Sequence, residues 1–129
     1  MLTSCAVKPE PATLDRLMEF SHIGLVTDEP KQGEVFVEAT RVWITNFTKH
    51  RQRVEWLRFE PDSPVAGPVR TQPHVAFRVD SIEDASQGMQ VLLEPFQPLP
   101  DVRVAFFLTP DGAVVEFMEF TGNPFGEPT

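Results

Sequence analysis

Seven stretches of the chain alternate apolar with polar residues or carry short apolar blocks: 20–27, 34–38, 41–48, 53–60, 74–80, 102–109 and 113–120. They are rich in Val, Ile, Phe, Trp and Thr and are bounded by turn residues, the pattern of short β-strands. Thr48-Lys49-His50-Arg51-Gln52-Arg53 interrupts two of them and predicts a hairpin loop. Pro110-Asp111-Gly112 predicts a tight turn, because proline presets φ and glycine accepts φ > 0. Helical periodicity is weak. The internal candidate is 81–89, with Ser81 as cap and Asp84 as its capping-box partner, and a second short helix is predicted at 13–18 behind Thr13. Prolines cluster at 61–73 and 94–100, where each removes a backbone donor and restricts its predecessor, so both stretches read as connections. Residues 92–101 read as extended, and 121–129, rich in Gly, Pro and Asn, read as a frayed tail.

The pattern repeats. His22-Ile23-Gly24-Leu25-Val26-Thr27-Asp28 lies over His74-Val75-Ala76-Phe77-Arg78-Val79-Asp80: His, β-branched, small, large apolar, two residues, Asp. Val54-Glu55-Trp56-Leu57-Arg58-Phe59 lies over Val115-Glu116-Phe117-Met118-Glu119-Phe120. Each half has a His strand first and a Glu strand later, with an insertion between them in the second half. The implied organisation is one structural domain made of two modules, 20–60 and 74–120. A Pro-rich linker at 61–73 joins them, an extension covers 1–19, and a flexible tail covers 121–129.

Composition narrows the function. The chain has 129 residues, enough for one compact domain. Lys plus Arg is 11 against 19 Asp plus Glu, a net charge of −8 that repels phosphates and excludes backbone binding of nucleic acid. Hydrophobic residues at 41% and charged residues at 23% fit a globular protein. No apolar run reaches the roughly 20 residues of a membrane span. The single Cys5 excludes an internal disulfide, fits a reducing, cytoplasmic compartment, and is read as an inert thiol. Leu2-Thr3-Ser4-Cys5 superficially matches a lipoprotein cleavage box, but no charged and apolar stretch precedes it, so lipidation is not expected. Eleven Phe and no Tyr allow a core that needs no partners for phenol hydroxyls.

The repeated residues carry the chemistry. Side chains alternate faces along a strand, so His22 shares a face with Gly24 and Val26, and His74 with Ala76 and Arg78. Glu55 shares one with Leu57 and Phe59, and Glu116 with Val114, Met118 and Phe120. A carboxylate on an apolar face is costly to bury unless it is paired or binds a metal. Two His and two Glu at matched positions can converge between the copies, and this donor set suits one divalent ion such as Zn, Ni, Co, Fe or Mn. The bland alternatives are a satisfied structural histidine, a surface ion pair of Glu55 with Arg53 or Arg58, and Glu119 in place of Glu116. His50, in a basic loop, reads as solvated. Arg78 is a candidate for a substrate anion, against an arginine that snorkels at the strand end.

These residues resemble the vicinal oxygen chelate superfamily, which includes glyoxalase I, methylmalonyl-CoA epimerase, extradiol dioxygenases, and the bleomycin and fosfomycin resistance proteins. The resemblance rests on Ser21-His22-Ile23-Gly24-Leu25, on Pro73-His74-Val75-Ala76-Phe77-Arg78-Val79-Asp80, and on Thr109-Pro110-Asp111-Gly112-Ala113-Val114-Val115-Glu116-Phe117. It implies an α+β fold: two tandem βαβββ-type modules with shortened helices, whose mostly antiparallel sheets curl around a central site. It implies metal ligands at His22, His74 and Glu116, with Glu55 where glyoxalase I and the epimerases have a fourth ligand that can leave the metal and act as base. Residues 28–40 are too short and too rich in Pro, Gly and β-branched residues for the first module's usual helix, and the second module's helix is cut short.

The expected function is therefore a glyoxalase- or epimerase-like, metal-dependent lyase or isomerase. It would act on a small oxygen-chelating substrate, with Glu116 or Glu55 moving a proton alpha to a carbonyl. The alternatives are a non-catalytic small-molecule binding or resistance protein of the same fold, and a dioxygenase or transferase using only His22, His74 and Glu116. Exposed sheet edges predict a homodimer.

Overall fold

The structure, a computed structural model, describes residues 17–128. It contains β1 (Met18–Val26), β2 (Val35–Val37), β3 (Val42–Ile44), a 3₁₀ turn (Phe47–Lys49) and β4 (Val54–Phe59). After a single helical turn, α1 (Pro68–Thr71), come β5 (His74–Val79), a second helical turn α2 (Ile82–Ala85), β6 (Gln90–Leu99), β7 (Val102–Leu108) and β8 (Val114–Phe120). The strands form one mixed sheet in the order β2-β3-β4-β1-β5-β8-β7-β6. That order is symmetric about the junction of β1 and β5. β1 pairs parallel with β4, β5 pairs parallel with β8, and the two halves meet antiparallel through β1 and β5. Two four-strand modules are thus joined by their first strands in the expected α+β architecture; the second keeps a single helical turn after its first strand, and the first has none. Strands from opposite ends of the sheet contribute walls to one cavity, Val37, Val42 and Ile44 from one end and Leu93 and Phe96 from the other. The sheet therefore curls.

The predicted helix at 81–89 shrinks to α2, capped as expected by the Ser81 hydroxyl, which accepts from the Asp84 N–H at 3.1 Å. No helix lies between β1 and β2. Most of the helix predicted at 13–18 lies outside the described residues, and Met18 already belongs to β1. Among the described residues, no helix is long and apolar enough to cross a membrane.

Three sequence expectations change. Residues 94–100, read as a connection, lie largely within β6. Pro95 and Pro98 are tolerated because β6 is an edge strand with an irregular register against β7, so missing donors break few ladder bonds. The linker at 61–73 is more than a connection, since Val65 and Val69 are buried in the main core. The tail is docked. Phe125 is buried and its ring centroid lies 4.7 Å from that of Phe47. Its carbonyl accepts from Asn46 Nδ2 at 3.0 Å, and Glu127 pairs with Arg53 at 2.7 Å.

Alternation along β1 is broken by a β-bulge between Phe20 and His22. A bulge adds an extra residue on one strand and re-aims the side chains around it. Ser21 and His22 are both buried as a result.

Candidate metal centre

The register across the sheet builds the site in two matched rows. Gly24 stands between Glu55 on β4 and His74 on β5, and Ala76 stands between His22 on β1 and Glu116 on β8. A small residue at the centre of each row leaves space above the backbone. A Cβ placed on Gly24 would lie 2.0 Å from Cε1 of the His74 ring, so the glycine is needed for close approach. Gly24→Ala is expected to displace His74 and weaken metal binding by more than tenfold with the circular dichroism spectrum unchanged. Wild-type affinity in a metal titration of this variant would contradict the role given to the glycine.

His22, Glu55, His74 and Glu116 come together in one chain, with a potential ligand atom from each within 4.8 Å of the others. Both imidazoles are fully buried, and both glutamates are 6% exposed. His22 Nε2 lies 3.3 Å from Glu116 Oε1 and 3.5 Å from Glu55 Oε1, and His74 Nε2 lies 3.0 Å from Glu116 Oε1. Bonds of about 2.0–2.2 Å to a single ion place neighbouring donor atoms at comparable separations. His22 Nε2 has no hydrogen bond of good geometry, although it is buried and faces both carboxylates. Such an orphaned buried nitrogen is uncommon, and a metal ion at the centre would satisfy it. The residues fit a divalent metal.

Surrounding residues hold the rings. Ser21 Oγ is 2.9 Å from His22 Nδ1, a contact that orients the ring so that Nε2 points inward. The His22 ring stacks on Phe47 at 4.2 Å, and Phe106 meets His74 edge-on at 5.0 Å. Arg53 ties this side together: its Nε donates to the Ser21 carbonyl and its two terminal nitrogens grip Glu127. Ser21 and Arg53 were not singled out as supports from sequence. The bulge that turns Ser21 inward has no signature in an alternating pattern.

Burial disfavours a charged His22, but the Glu55 and Glu116 carboxylates outweigh it and push its pKa up to about 9. Burial also disfavours an ionised Glu116, but the imidazoles of His22 and His74 more than offset this and hold it at about 2. The raised pKa favours a proton on His22 in the metal-free protein, and the two carboxylates that favour it are those a cation would meet.

The other candidates lie elsewhere. Glu55 does not form the surface pair with Arg53 or Arg58; these arginines pair with Glu127 and Glu34. Glu119 pairs with Arg103 and accepts from the Ile82 N–H, so it anchors α2. Arg78, considered for a substrate anion, is exposed, and its guanidinium sits 4.6 Å over the Phe120 ring. It does not line the cavity. Its position toward the end of β5 carries it away from His74.

The cavity above the cluster measures about 50 Å³. Glu55 and Glu116 form its polar floor, and Leu57, Phe59, Val104, Phe106, Met118 and Phe125 are among its apolar walls. The carboxylates, rather than the imidazoles, therefore face the cavity.

A family model described as the glyoxalase/bleomycin resistance protein/dioxygenase superfamily matches residues 24–117, well over half of the chain. The chain belongs to this superfamily. No curated protein matches it in sequence. Among solved structures it is similar to a glyoxalase family protein from Bacillus cereus, at 14% identity and a TM-score of 0.37, over 81% of this chain and 95% of that one.

Proposed function

We propose that the chain is a divalent-metal-dependent lyase or isomerase of the glyoxalase type that acts on a small oxygen-chelating substrate through an enolate-like anion. The observation that carries this reading is the buried His22–Glu55–His74–Glu116 cluster, two of whose members, Glu55 and Glu116, lie at the floor of an apolar cavity. When bound, the ion supplies Lewis-acid stabilisation of negative charge on substrate oxygen. His22, His74 and Glu116 hold it, with Glu55 as the fourth ligand.

The two carboxylates take different parts. Glu116 is gripped by both imidazoles, at 3.0 and 3.3 Å, and is held strongly ionised, which makes it a ligand and a poor base. Glu55 meets only His22, at 3.5 Å, and faces the cavity. It is the carboxylate free to accept a proton alpha to the substrate carbonyl. An inward Glu55 favours this four-ligand arrangement over three-ligand dioxygenase or transferase chemistry. The apolar walls lower the local polarity around the two carboxylates, which strengthens electrostatic terms there.

Mass spectrometric metal analysis of untagged protein is expected to find about one divalent ion per chain. Metal-loaded protein should convert members of a panel of hemithioacetals, α-hydroxy thioesters and 2-oxo acids. Glu55→Gln should keep its metal within tenfold and lose at least a hundredfold in turnover, the usual scale for a missing general base. A loaded protein inert across the panel, or an active Glu55→Gln variant, would count against the lyase or isomerase assignment.

The reading includes a homodimer in the reducing cytoplasm. β1 leaves Met18 52% and Phe20 46% exposed, together with Ile23 on the same face, and this apolar stripe supports pairing with a second copy. Light scattering that returns the mass of a single chain at micromolar concentration would remove the dimer.

A further inference from the structure

The charge balance of the cavity deepens the proposed function, on which this inference rests: we infer that the site selects a compact, electrically neutral ligand, such as a small α-hydroxy ketone, over a carboxylate, phosphate or phosphonate of the same shape. Two carboxylates and two imidazoles face the position of the ion. Two ionised glutamates already balance a divalent cation, so an anionic ligand would add a net negative charge to the centre. Burying such a charge is costly unless a cation or several hydrogen-bond donors compensate it.

Among the described residues, no compensating group lines the cavity. Its walls are apolar apart from Glu55, Glu116 and Thr40, and include no Lys, Arg or His. The nearby arginines are committed elsewhere: Arg53 to Glu127, Arg58 to Glu34, Arg70 to the carbonyls of Ser63 and Val65, and Arg78 to the face of Phe120. The net charge of −8 adds long-range repulsion of anions. A neutral α-hydroxy ketone fits these constraints. It presents two adjacent oxygens to the floor and alkyl groups to the walls, and transfer of its alpha proton to Glu55 creates no net charge in the cavity.

Acetoin and lactate provide a matched pair, because a methyl group in the first replaces a carboxylate oxygen of the second. Both would be titrated into zinc-loaded and metal-free protein, followed by amide chemical shifts of cavity residues. Acetoin is expected to bind at least tenfold more tightly than lactate. Thr40→Arg, which places the missing cation at the wall, should move that ratio at least tenfold toward lactate, and Leu93→Arg serves the same purpose should the first variant fail to fold. Equal or tighter binding of lactate overturns the inference, as does absence of acetoin binding in both forms. Failure to take up zinc would defeat the proposed metal-dependent function instead. In that event a preference for acetoin in the metal-free cavity still supports the neutral-ligand inference, and a preference for lactate overturns it.

Discussion

Glu116→Ala is expected to lose essentially all bound metal and to lower the stability of the metal-free protein by about 3 kcal/mol, the scale of breaking a buried ion pair. Two effects combine. The carboxylate contacts both His74 Nε2 and His22 Nε2, so its removal leaves two buried imidazole nitrogens facing an empty space. Its strongly lowered pKa means that ionised Glu116 is more favourable in the fold than in the unfolded chain, despite complete burial. In a domain of this size such a loss lowers the melting temperature by about 10 °C. Glu116→Gln separates the two effects, since it preserves the shape and retains a group able to bond to His74. Its melting temperature should fall less, while metal affinity still drops by at least a hundredfold. Thermal melts alongside metal titrations of both variants are the check. Wild-type metal content in Glu116→Ala would place the ion, if any, elsewhere.

The sequence made the four cluster residues legible because the duplication repeats them in register. A single His or Glu on a strand carries little information, whereas His22 with His74, and Glu55 with Glu116, recur beside the same small and apolar neighbours. The topology then follows from the repeat, since matched strands occupy matched places on either side of the junction between β1 and β5. Other parts left no comparable trace. Phe125 lies in a Gly- and Pro-rich segment without periodicity, yet it packs on Phe47 and closes one wall of the cavity. β6 contains two prolines that argue against a strand, and only its edge position makes them harmless. The bulge at Ser21 shifts the inward face by one residue. Gly24 was visible as part of a motif, but the reason for its size lies across the sheet, in the ring of His74. Local patterns encode strands and their faces. The supports of a site depend on contacts between elements distant in the chain.

Metal affinity is expected to rise about tenfold per pH unit between pH 6 and pH 8.5, because the ion must displace the proton on His22. The shift in His22 gives the sign. Its folded pKa of about 9 lies above the ordinary value of 6.5, so the protonated form is favoured by folding. The stability it contributes to the metal-free protein is fully present below pH 6.5 and is lost as pH rises through about 9. Glu116 behaves oppositely. Its contribution is present above its ordinary value of 4.5 and is lost as pH falls through about 2. The metal-free protein should therefore lose stability on the alkaline side, by an amount on the order of 3 kcal/mol from His22 alone. The metal-loaded protein, whose His22 Nε2 donates to the ion and carries no proton, should show no such alkaline loss. Two curves test this: metal affinity against pH, and melting temperature against pH with and without metal. A flat affinity profile across pH 6–8.5 would show that no proton leaves the cluster when the ion arrives, and His22 would then lose its place as a ligand. A rising profile, with melting curves that separate progressively above pH 7, would show the proton and the ion competing for the same buried position between Glu55 and Glu116.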